Sequence, residues 1–358
     1  MRRVGIRYAK PGMVLGRAVY DSGGNMLADA GTALSEDTLA TLGIYGVREV
    51  LIHDRRLADV PVQPLIAPEI EAQAVQALRQ LLTECQGSAI LDDTLLGQVE
   101  QPIYAMVREL FPDVAGEINA SGCYSGEEFT YVRPVKAAVL CLLMGRWLGF
   151  HMAELASIGL AAALMDVGYI VLPQGPLVAP RPWDKQASPE QRKHPQIGAE
   201  ILGRCKHLGP EVARAVLQHH ETWNGEGYPG GLRGEQISLP ARILSIADAY
   251  YELISEGPNK RAFMPHEAVE FIMAYSGELF DPRLVQLFAR QVPLYPAGTT
   301  VRLNTGEVAV VIDANLGHVG RPVIRVFTDP TLRMREKPDD RDLSESNRQS
   351  QLIVQVVG

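Results

Sequence analysis

The chain has 358 residues, of which 46% are hydrophobic and 21% are charged. This composition is that of an ordinary globular protein, and the length allows two or three domains. Its 34 basic and 42 acidic side chains give a formal net charge of −8, which repels a phosphate polymer and argues against a nucleic acid polymer as partner. Binding of a small anionic ligand remains compatible with this net charge, because such binding needs only a few basic groups at the site.

The cysteines and the hydrophobic runs bear on the compartment. The four cysteines show no paired spacing, so we expect reduced core residues in a cytoplasmic protein; they are Cys85, Cys123, Cys141 and Cys205. The first residues contain no apolar signal region. The longest hydrophobic run, residues 137–150, is shorter than a bilayer requires and is interrupted by Arg146. We therefore predict neither export nor a membrane span.

The first third of the chain changes character near residue 60. Residues 1–60 alternate short β-like runs with turn signals around one short helical pattern, which predicts a small α/β or β-rich N-terminal module. A proline-spaced segment follows, and from Glu69 to Cys85 apolar residues recur at helical spacing. We therefore expect a linker and a helical segment over residues 61–120.

Residues 121–292 have an almost purely helical pattern with short polar turns. Three prolines stand where a first helical turn would begin, and Asp281 is placed to cap its helix; the prolines are Pro210, Pro265 and Pro282. The predicted fold class is therefore mainly α, with an all-helical domain as its largest part.

The remaining residues, 293–358, return to alternating patterns and predict a short β-rich C-terminal extension. An Asn-Thr-Gly turn between two alternating runs is typical of a hairpin. The stretch from Met334 to Ser350 is dominated by charged and polar residues, and we expect it to be mobile.

The stretch that carries chemical information runs from His219 to Asp248. Two adjacent histidines precede a glycine-dense loop, residues 225–234, and the aspartate stands on the next predicted helix. Neutral imidazoles and a carboxylate that meet at one point suit a divalent transition metal, which polarises a phosphate and activates water. The His219-His220 pair alone is weak support for a metal, since such pairs are more often exposed or satisfied within a core.

The linked elements are more specific than the pair. The order HHExxxGxGYPxGLxGxxI followed by ARIxxxAD resembles the signature of the HD-GYP family, the cyclic-di-GMP phosphodiesterases within the HD superfamily of metal-dependent phosphohydrolases. The resemblance covers about half of the chain, from before Phe129 to the FDPRLVQLF segment. It implies an HD-type helical domain over residues 121–292. In that family an early histidine, an HD pair, three later histidines and a final aspartate bind two or three metals.

The resemblance assigns metal ligands to five positions of this chain. Asp166, from the HD pair, is also the candidate catalytic residue; the full ligand set is Asp166, His194, His219, His220 and Asp248. Three further family positions are changed here: Arg133 stands in the slot of the early histidine, Met165 replaces the histidine of the HD pair, and Tyr169 replaces a lysine.

Met165 and Arg133 cannot replace the two histidines as metal ligands. A thioether is a soft, neutral ligand, and a guanidinium carries a permanent positive charge with no lone pair to offer. A cation next to Arg133 would be repelled. The expected cofactor is therefore either one divalent transition metal, iron or manganese, or no metal.

The resemblance also indicates where ligands and partners bind. Basic side chains that would meet the nucleotide phosphates are Arg242, Lys260 and Arg261, whereas the family's arginine slot after the final aspartate holds a glycine, Gly257. The expected ligand is cyclic di-GMP or a related cyclic dinucleotide. The GYP loop is either a rigid surface turn or a recognition surface; in the second case Gly227, Tyr228 and Pro229 would contact a GGDEF diguanylate cyclase.

Three functional hypotheses follow. The first is a catalytically inactive or weakly active effector or interaction module in cyclic-di-GMP signalling. The second is an active metal-dependent phosphodiesterase that hydrolyses cyclic di-GMP to linear pGpG or GMP, either with one metal or with substitute ligands such as Glu127 or Glu128. The third is a structural scaffold that binds neither nucleotide nor metal. Loss of the two-metal arrangement favours the first, because one ion stabilises only part of the developing charge.

Overall fold

A computed structural model describes residues 1–21, 25–47, 49–60, 64–110, 126–172, 188–255 and 262–357, with the side chains of residues 126–129 outside the description. The described helices are α1 (Glu36–Ile44), α2 (Pro68–Glu84), α3 (Asp93–Leu110), α4 (Gly126–Trp147), α5 (Met152–Ala163), α6 (His194–Leu202), α7 (Pro210–Gln218), α8 (Leu239–Ile254), α9 (Pro265–Ala274) and α10 (Pro282–Gln291). The strands are β1 (Arg2–Gly5), β2 (Val19–Tyr20), β3 (Met26–Ala28), β4 (Glu49–Ile52), β5 (Thr300–Leu303), β6 (Val308–Asp313), β7 (Val323–Thr328), β8 (Met334–Asp342) and β9 (Ile353–Val356). The mainly α fold class is confirmed.

The helix starts predicted from proline are confirmed. Pro210, Pro265 and Pro282 each open their helix, where a missing backbone N–H costs nothing because it would have no intrahelical partner. The carboxylate of Asp281 accepts a hydrogen bond from the backbone N–H of Arg283 at 2.9 Å, as an N-cap should.

Helices α2 to α10 surround one hydrophobic core. Helix α8 lies at its centre, with every residue from Ile243 to Ile254 buried. Helices α2 and α3 contribute Leu78, Leu81 and Ile103 to the same core. The boundary predicted near residue 120 therefore divides one core rather than separating two.

Within the described residues, one apolar stretch is long enough to cross a membrane by length and composition. It runs from Met152 to Val171, with 83% of its most apolar window buried inside the fold. Its apolar side chains thus face the protein core. The cytoplasmic location stays a prediction.

The N-terminal module combines α1 with two antiparallel strand pairs, β1 with β4 and β2 with β3. Its small core contains Val4, Leu15, Leu42 and Val50. The module also touches the C-terminal sheet, where the guanidinium of Arg325 forms an ion pair at 2.7 Å with Asp59 of the N-terminal part.

The C-terminal extension is a five-stranded antiparallel sheet in the order β8-β7-β6-β5-β9. The mobility expected for its polar stretch was wrong, since Met334–Asp342 forms β8 and pairs with β7. The charged side chains there have partners: Arg341, 7% exposed, donates at 2.9 Å to the buried carboxylate of Glu307. Charged residues that are paired can be buried in an ordered sheet. The polar composition of this stretch was therefore not a sufficient reason to expect mobility.

Candidate functional site

Four helical elements bring the five predicted ligands together. Asp166 precedes the 3₁₀ turn Val167–Val171, His194 opens α6, His219 and His220 follow α7, and Asp248 lies in α8. All five side chains are buried, the histidines to at least 99% and the aspartates to at least 94%. Polar groups this deep need specific partners, so their contacts show what the site can hold.

The histidines form a compact cluster. One ring nitrogen of each of His194, His219 and His220 lies within 4.8 Å of the others. The Nε2 atoms of His194 and His219 are 3.3 Å apart. In both residues Nδ1 lies next to a backbone carbonyl oxygen, at 2.7 Å and 2.6 Å respectively. An Nδ1–H that donates to a carbonyl leaves the Nε2 lone pair facing the cluster, which is the orientation of a metal ligand.

Orphaned polar atoms line the same space. Neither ring nitrogen of His220 has a hydrogen-bond partner among the described residues, and neither does Oδ1 of Asp166. That oxygen lies 3.6 Å from Nε2 of His194. Buried donors and acceptors without partners are rare in folded proteins. A divalent ion bound by the three imidazoles would satisfy one ring nitrogen of His220, and Oδ1 of Asp166 lies beside that cluster.

Burial keeps the three imidazoles neutral. It lowers the pKa of His194 to about 3, against a smaller opposing effect of Asp166. Burial likewise lowers the pKa of His219, and that of His220 well below its usual value. The contact between His194 and Asp166 is therefore not an ion pair near neutral pH. Neutral imidazoles are the form that binds a metal.

The other side of the site is occupied by Arg133. Its guanidinium donates through Nη2 to Oδ2 of Asp166 and through Nη1 to Oδ1 of Asp248. The arginine side chain is 1% exposed, so this bridge is shielded from water. The predicted ligand set is thus divided: Asp248 faces the arginine, Asp166 serves both sides, and the histidines face each other. The histidine side fits a divalent ion, whereas the Arg133 side does not.

The two other changed positions have different surroundings. Met165 is fully buried in the hydrophobic core. The ring of Tyr169 stacks on His194, with centroids 4.3 Å apart and planes 14° apart. Burial raises the pKa of the Tyr169 hydroxyl, so this residue provides a neutral wall where a lysine would provide a charge.

Close packing next to Asp166 depends on one glycine. A Cβ on Gly168 would lie 2.0 Å from the carbonyl oxygen of His194 and 2.8 Å from the backbone nitrogen of Gly198. The turn after α5 can therefore approach α6 this closely only without a side chain. This approach sets Asp166 beside His194.

The GYP loop is held from inside. The carboxylate of Glu221, 2% exposed, accepts hydrogen bonds from the backbone N–H groups of Gly230 at 2.6 Å and Leu232 at 2.9 Å. The ring of Tyr228 is buried and lies on His220 with centroids 4.9 Å apart. Because this ring packs on His220, the partner surface predicted at Gly227, Tyr228 and Pro229 would involve little of the Tyr228 ring, and it stays a prediction. Pro229 is exposed.

Positive φ angles in the loop agree with the rigid turn expected there. Gly225, Gly231 and Gly234 have φ of 85°, 64° and 58°, a region that side chains disfavour. A contact with a diguanylate cyclase stays a prediction for the exposed part of the loop.

The predicted phosphate-binding residues have mixed outcomes. Arg242 forms an ion pair at 2.6 Å with Asp281 and lies 5.8 Å above the Trp223 ring, so its charge is already engaged. Lys260 and Arg261 lie outside the described residues, as do the side chains of Glu127 and Glu128.

A basic residue near the cluster escaped the sequence reasoning. The guanidinium of Arg192 lies 5.3 Å above the Tyr228 ring, which in turn covers His220. Arg192 is partly exposed, so it brings a cation to the edge of the buried histidines. The signal available in the sequence was the basic pair Arg192-Lys193 directly before His194.

Comparisons with known proteins match the helical domain and the C-terminal sheet. A family model described as an HD domain matches residues 125–284, and one described as a KOW domain associated with an HD domain matches residues 300–357. A cyclic di-GMP phosphodiesterase of Pseudomonas aeruginosa, PA4108, is 30% identical over 320 residues, which cover 82% of this chain and 76% of that protein.

Two further relatives match over shorter stretches. The cyclic di-GMP phosphodiesterase response regulator RpfG of Xanthomonas campestris is 37% identical over 149 residues, 41% of this chain and 39% of that protein. The 3'3'-cGAMP-specific phosphodiesterase 2 of Vibrio cholerae is 33% identical over 181 residues, 50% of this chain and 34% of that protein. The chain thus spans between a third and two fifths of these two relatives.

Proposed function

The chain belongs to the HD-GYP family of HD-domain proteins, and on this premise we propose that it is a cyclic-di-GMP signalling protein that binds the nucleotide as an effector or interaction module and hydrolyses it weakly or not at all. The relatives that act on cyclic di-GMP or 3'3'-cGAMP support a cyclic dinucleotide as the ligand class. The altered site supports the loss of hydrolysis.

One observation carries the proposal: Arg133 bridges Asp166 and Asp248. Two-metal hydrolysis stabilises both the attacking and the leaving oxygen and generates the nucleophile from a bound water. A guanidinium can neutralise the carboxylates, but it has no lone pair and no open coordination position. The side held by Arg133 therefore cannot activate a water.

The chain's remaining groups favour binding over turnover. His194, His219, His220 and Asp166 would hold one divalent transition ion, which when bound polarises a phosphoryl oxygen and lowers the pKa of a water. Arg192 offers a guanidinium for a phosphate at the edge of the site. Tyr169 and Tyr228 cover the histidines with rings and limit their access to water.

The complete histidine cluster also supports a second candidate function, hydrolysis with a single metal ion. Three imidazoles and a carboxylate oxygen are a sufficient shell for one ion, and a single ion supports part of the two-metal chemistry. An active phosphodiesterase yielding pGpG or GMP is therefore the alternative that the experiment must separate from the effector.

Calorimetry with cyclic di-GMP and 3'3'-cGAMP tests the binding, and chromatography of the same mixtures with added Mn²⁺ tests hydrolysis. We expect a micromolar dissociation constant, weakened about tenfold or more by Arg192→Ala, because a charge-assisted phosphate contact contributes roughly 1.5–3 kcal/mol. Arg283→Ala is the matched control, since the Arg283 side chain is 89% exposed.

Two outcomes would contradict the effector. Many turnovers per chain, abolished by His220→Ala, would establish the phosphodiesterase. Absence of binding to either nucleotide would leave the structural scaffold.

A further inference from the structure

We propose that Arg133 replaces one metal ion of the centre: its guanidinium is the permanent cation that holds Asp166 and Asp248 together, and the centre takes a single divalent transition ion on the histidine side. This deepens the proposed function, because it concerns the same site. It does not depend on the identity of the nucleotide.

The need for a cation follows from burial and charge. Asp166 and Asp248 are 6% and 5% exposed and come from different elements of the core. Two carboxylates this close and this deep repel each other, and burying either without a partner is costly. By the family resemblance, both positions are metal ligands. Here the two terminal nitrogens of one guanidinium make both contacts.

The fixed charge of Arg133 limits the number of ions. Its guanidinium is permanently positive and already contacts both carboxylates. A second divalent ion on that side would therefore meet a like charge in a buried site. A second ion would also have to displace the guanidinium from both carboxylates.

The oxygens of Asp166 show how the two cations share the site. Oδ2 accepts from Arg133, whereas Oδ1 has no hydrogen-bond partner among the described residues and lies 3.6 Å from Nε2 of His194. The ring of His220, with two orphaned nitrogens, belongs to the histidine cluster on that same side. Asp166 would thus contact the guanidinium on one side and a divalent ion held by the histidines on the other.

The first test counts ions. Full-length protein freed of metal is titrated with Co²⁺, followed by visible absorption and by elemental analysis after gel filtration. We expect one Co²⁺ per chain for the wild type and its loss in His219→Ala. Two per chain in the wild type, or one that survives His219→Ala, would overturn the proposal, and so would failure of the wild type to retain any ion.

The second test asks whether Arg133 stabilises the buried carboxylates of Asp166 and Asp248 as a metal ion would. In Arg133→Met the buried carboxylates lose their cation, so we expect the melting temperature in EDTA to fall by about 10 °C and Co²⁺ to restore most of that fall. Arg242→Met is the matched control, because it breaks an ion pair with the buried Asp281 away from the centre. We expect Co²⁺ to raise its melting temperature no more than that of the wild type.

Variants that fold poorly still give a readout. If Arg133→Met does not fold in EDTA, its recovery during refolding with Co²⁺ is measured instead, and Arg133→Lys supplies a milder change that keeps the charge but cannot reach both carboxylates in the same way. Equal Co²⁺ rescue of Arg133→Met and Arg242→Met would overturn the surrogate role. None of these measurements uses a nucleotide, so their failure is distinguishable from failure of the effector function.

Discussion

Acidification is expected to destabilise the metal-free protein through its three buried histidines. An unfolded imidazole binds a proton below about pH 6.5, whereas burial lowers the pKa of His194 to about 3 and also lowers those of His219 and His220. Protons therefore bind the unfolded chain first, and the free energy of unfolding falls as the pH falls below 6.5. The stability contributed by neutral burial is fully present only above that pH.

The magnitude follows from linkage. Between pH 7.5 and pH 5.5 the free energy of unfolding falls by about 1.4 kcal/mol for each imidazole that stays neutral in the folded protein. For His194 and His220, whose pKa values lie well below this interval, the loss is about 3 kcal/mol, a large share of the roughly 5–15 kcal/mol that stabilises a typical domain. A bound metal would keep the imidazoles neutral and add its own pH dependence, so the comparison is made in EDTA.

Urea denaturation at pH 7.5 and pH 5.5 measures the effect. Other groups titrate in the same interval, so the informative quantity is the difference between the wild type and His220→Gln. We expect the variant to lose about 1.4 kcal/mol less on acidification than the wild type. His53→Asn is the control, because His53 is exposed and its replacement leaves the cluster intact. The same pH dependence in the wild type and His220→Gln would refute the buried neutral state.

Three further outcomes test the surroundings of the site. Gly168→Ala should destabilise the chain by about 1–3 kcal/mol in urea denaturation, because the added Cβ would lie 2.0 Å from the His194 carbonyl oxygen. Gly43→Ala is the control and should not destabilise the chain, because no atom lies within 4 Å of a Cβ at that position. Glu221→Ala should speed hydrogen exchange of the loop amides it binds, and unchanged exchange would contradict its holding role. Because Arg341 first of all lowers the pKa of Glu307 to about 2, stability should fall from about pH 5 to pH 2, and Glu307→Gln should flatten that fall in acid denaturation.

Local rules predicted the helices well and the polar tail badly. Proline and capping positions act through the backbone of the residues beside them, so the starts at Pro210, Pro265 and Pro282 could be read directly. The order of Met334–Asp342 depends on a cross-strand carboxylate, Glu307, that neutralises Arg341. The composition of residues 334–350 alone gives no information about Glu307, because that carboxylate lies in another segment of the chain.

The same distinction applies to the loop. Its positive-φ glycines follow from the spacing of the motif and were expected. The inward direction of the Tyr228 ring depends on His220 lying beneath it. An aromatic residue in a turn looks exposed until the neighbouring element is in place.

Local periodicity and the chemistry of single residues were enough to predict the mainly helical fold class, the HD-GYP resemblance and the side chains that could bind a metal. They also marked Arg133 as a residue that cannot be a ligand. The role of that arginine became visible in the folded chain alone. Its partners stand 33 and 115 positions away in the chain, and packing of α4 against α5 and α8 brings all three residues into one buried ion-paired group.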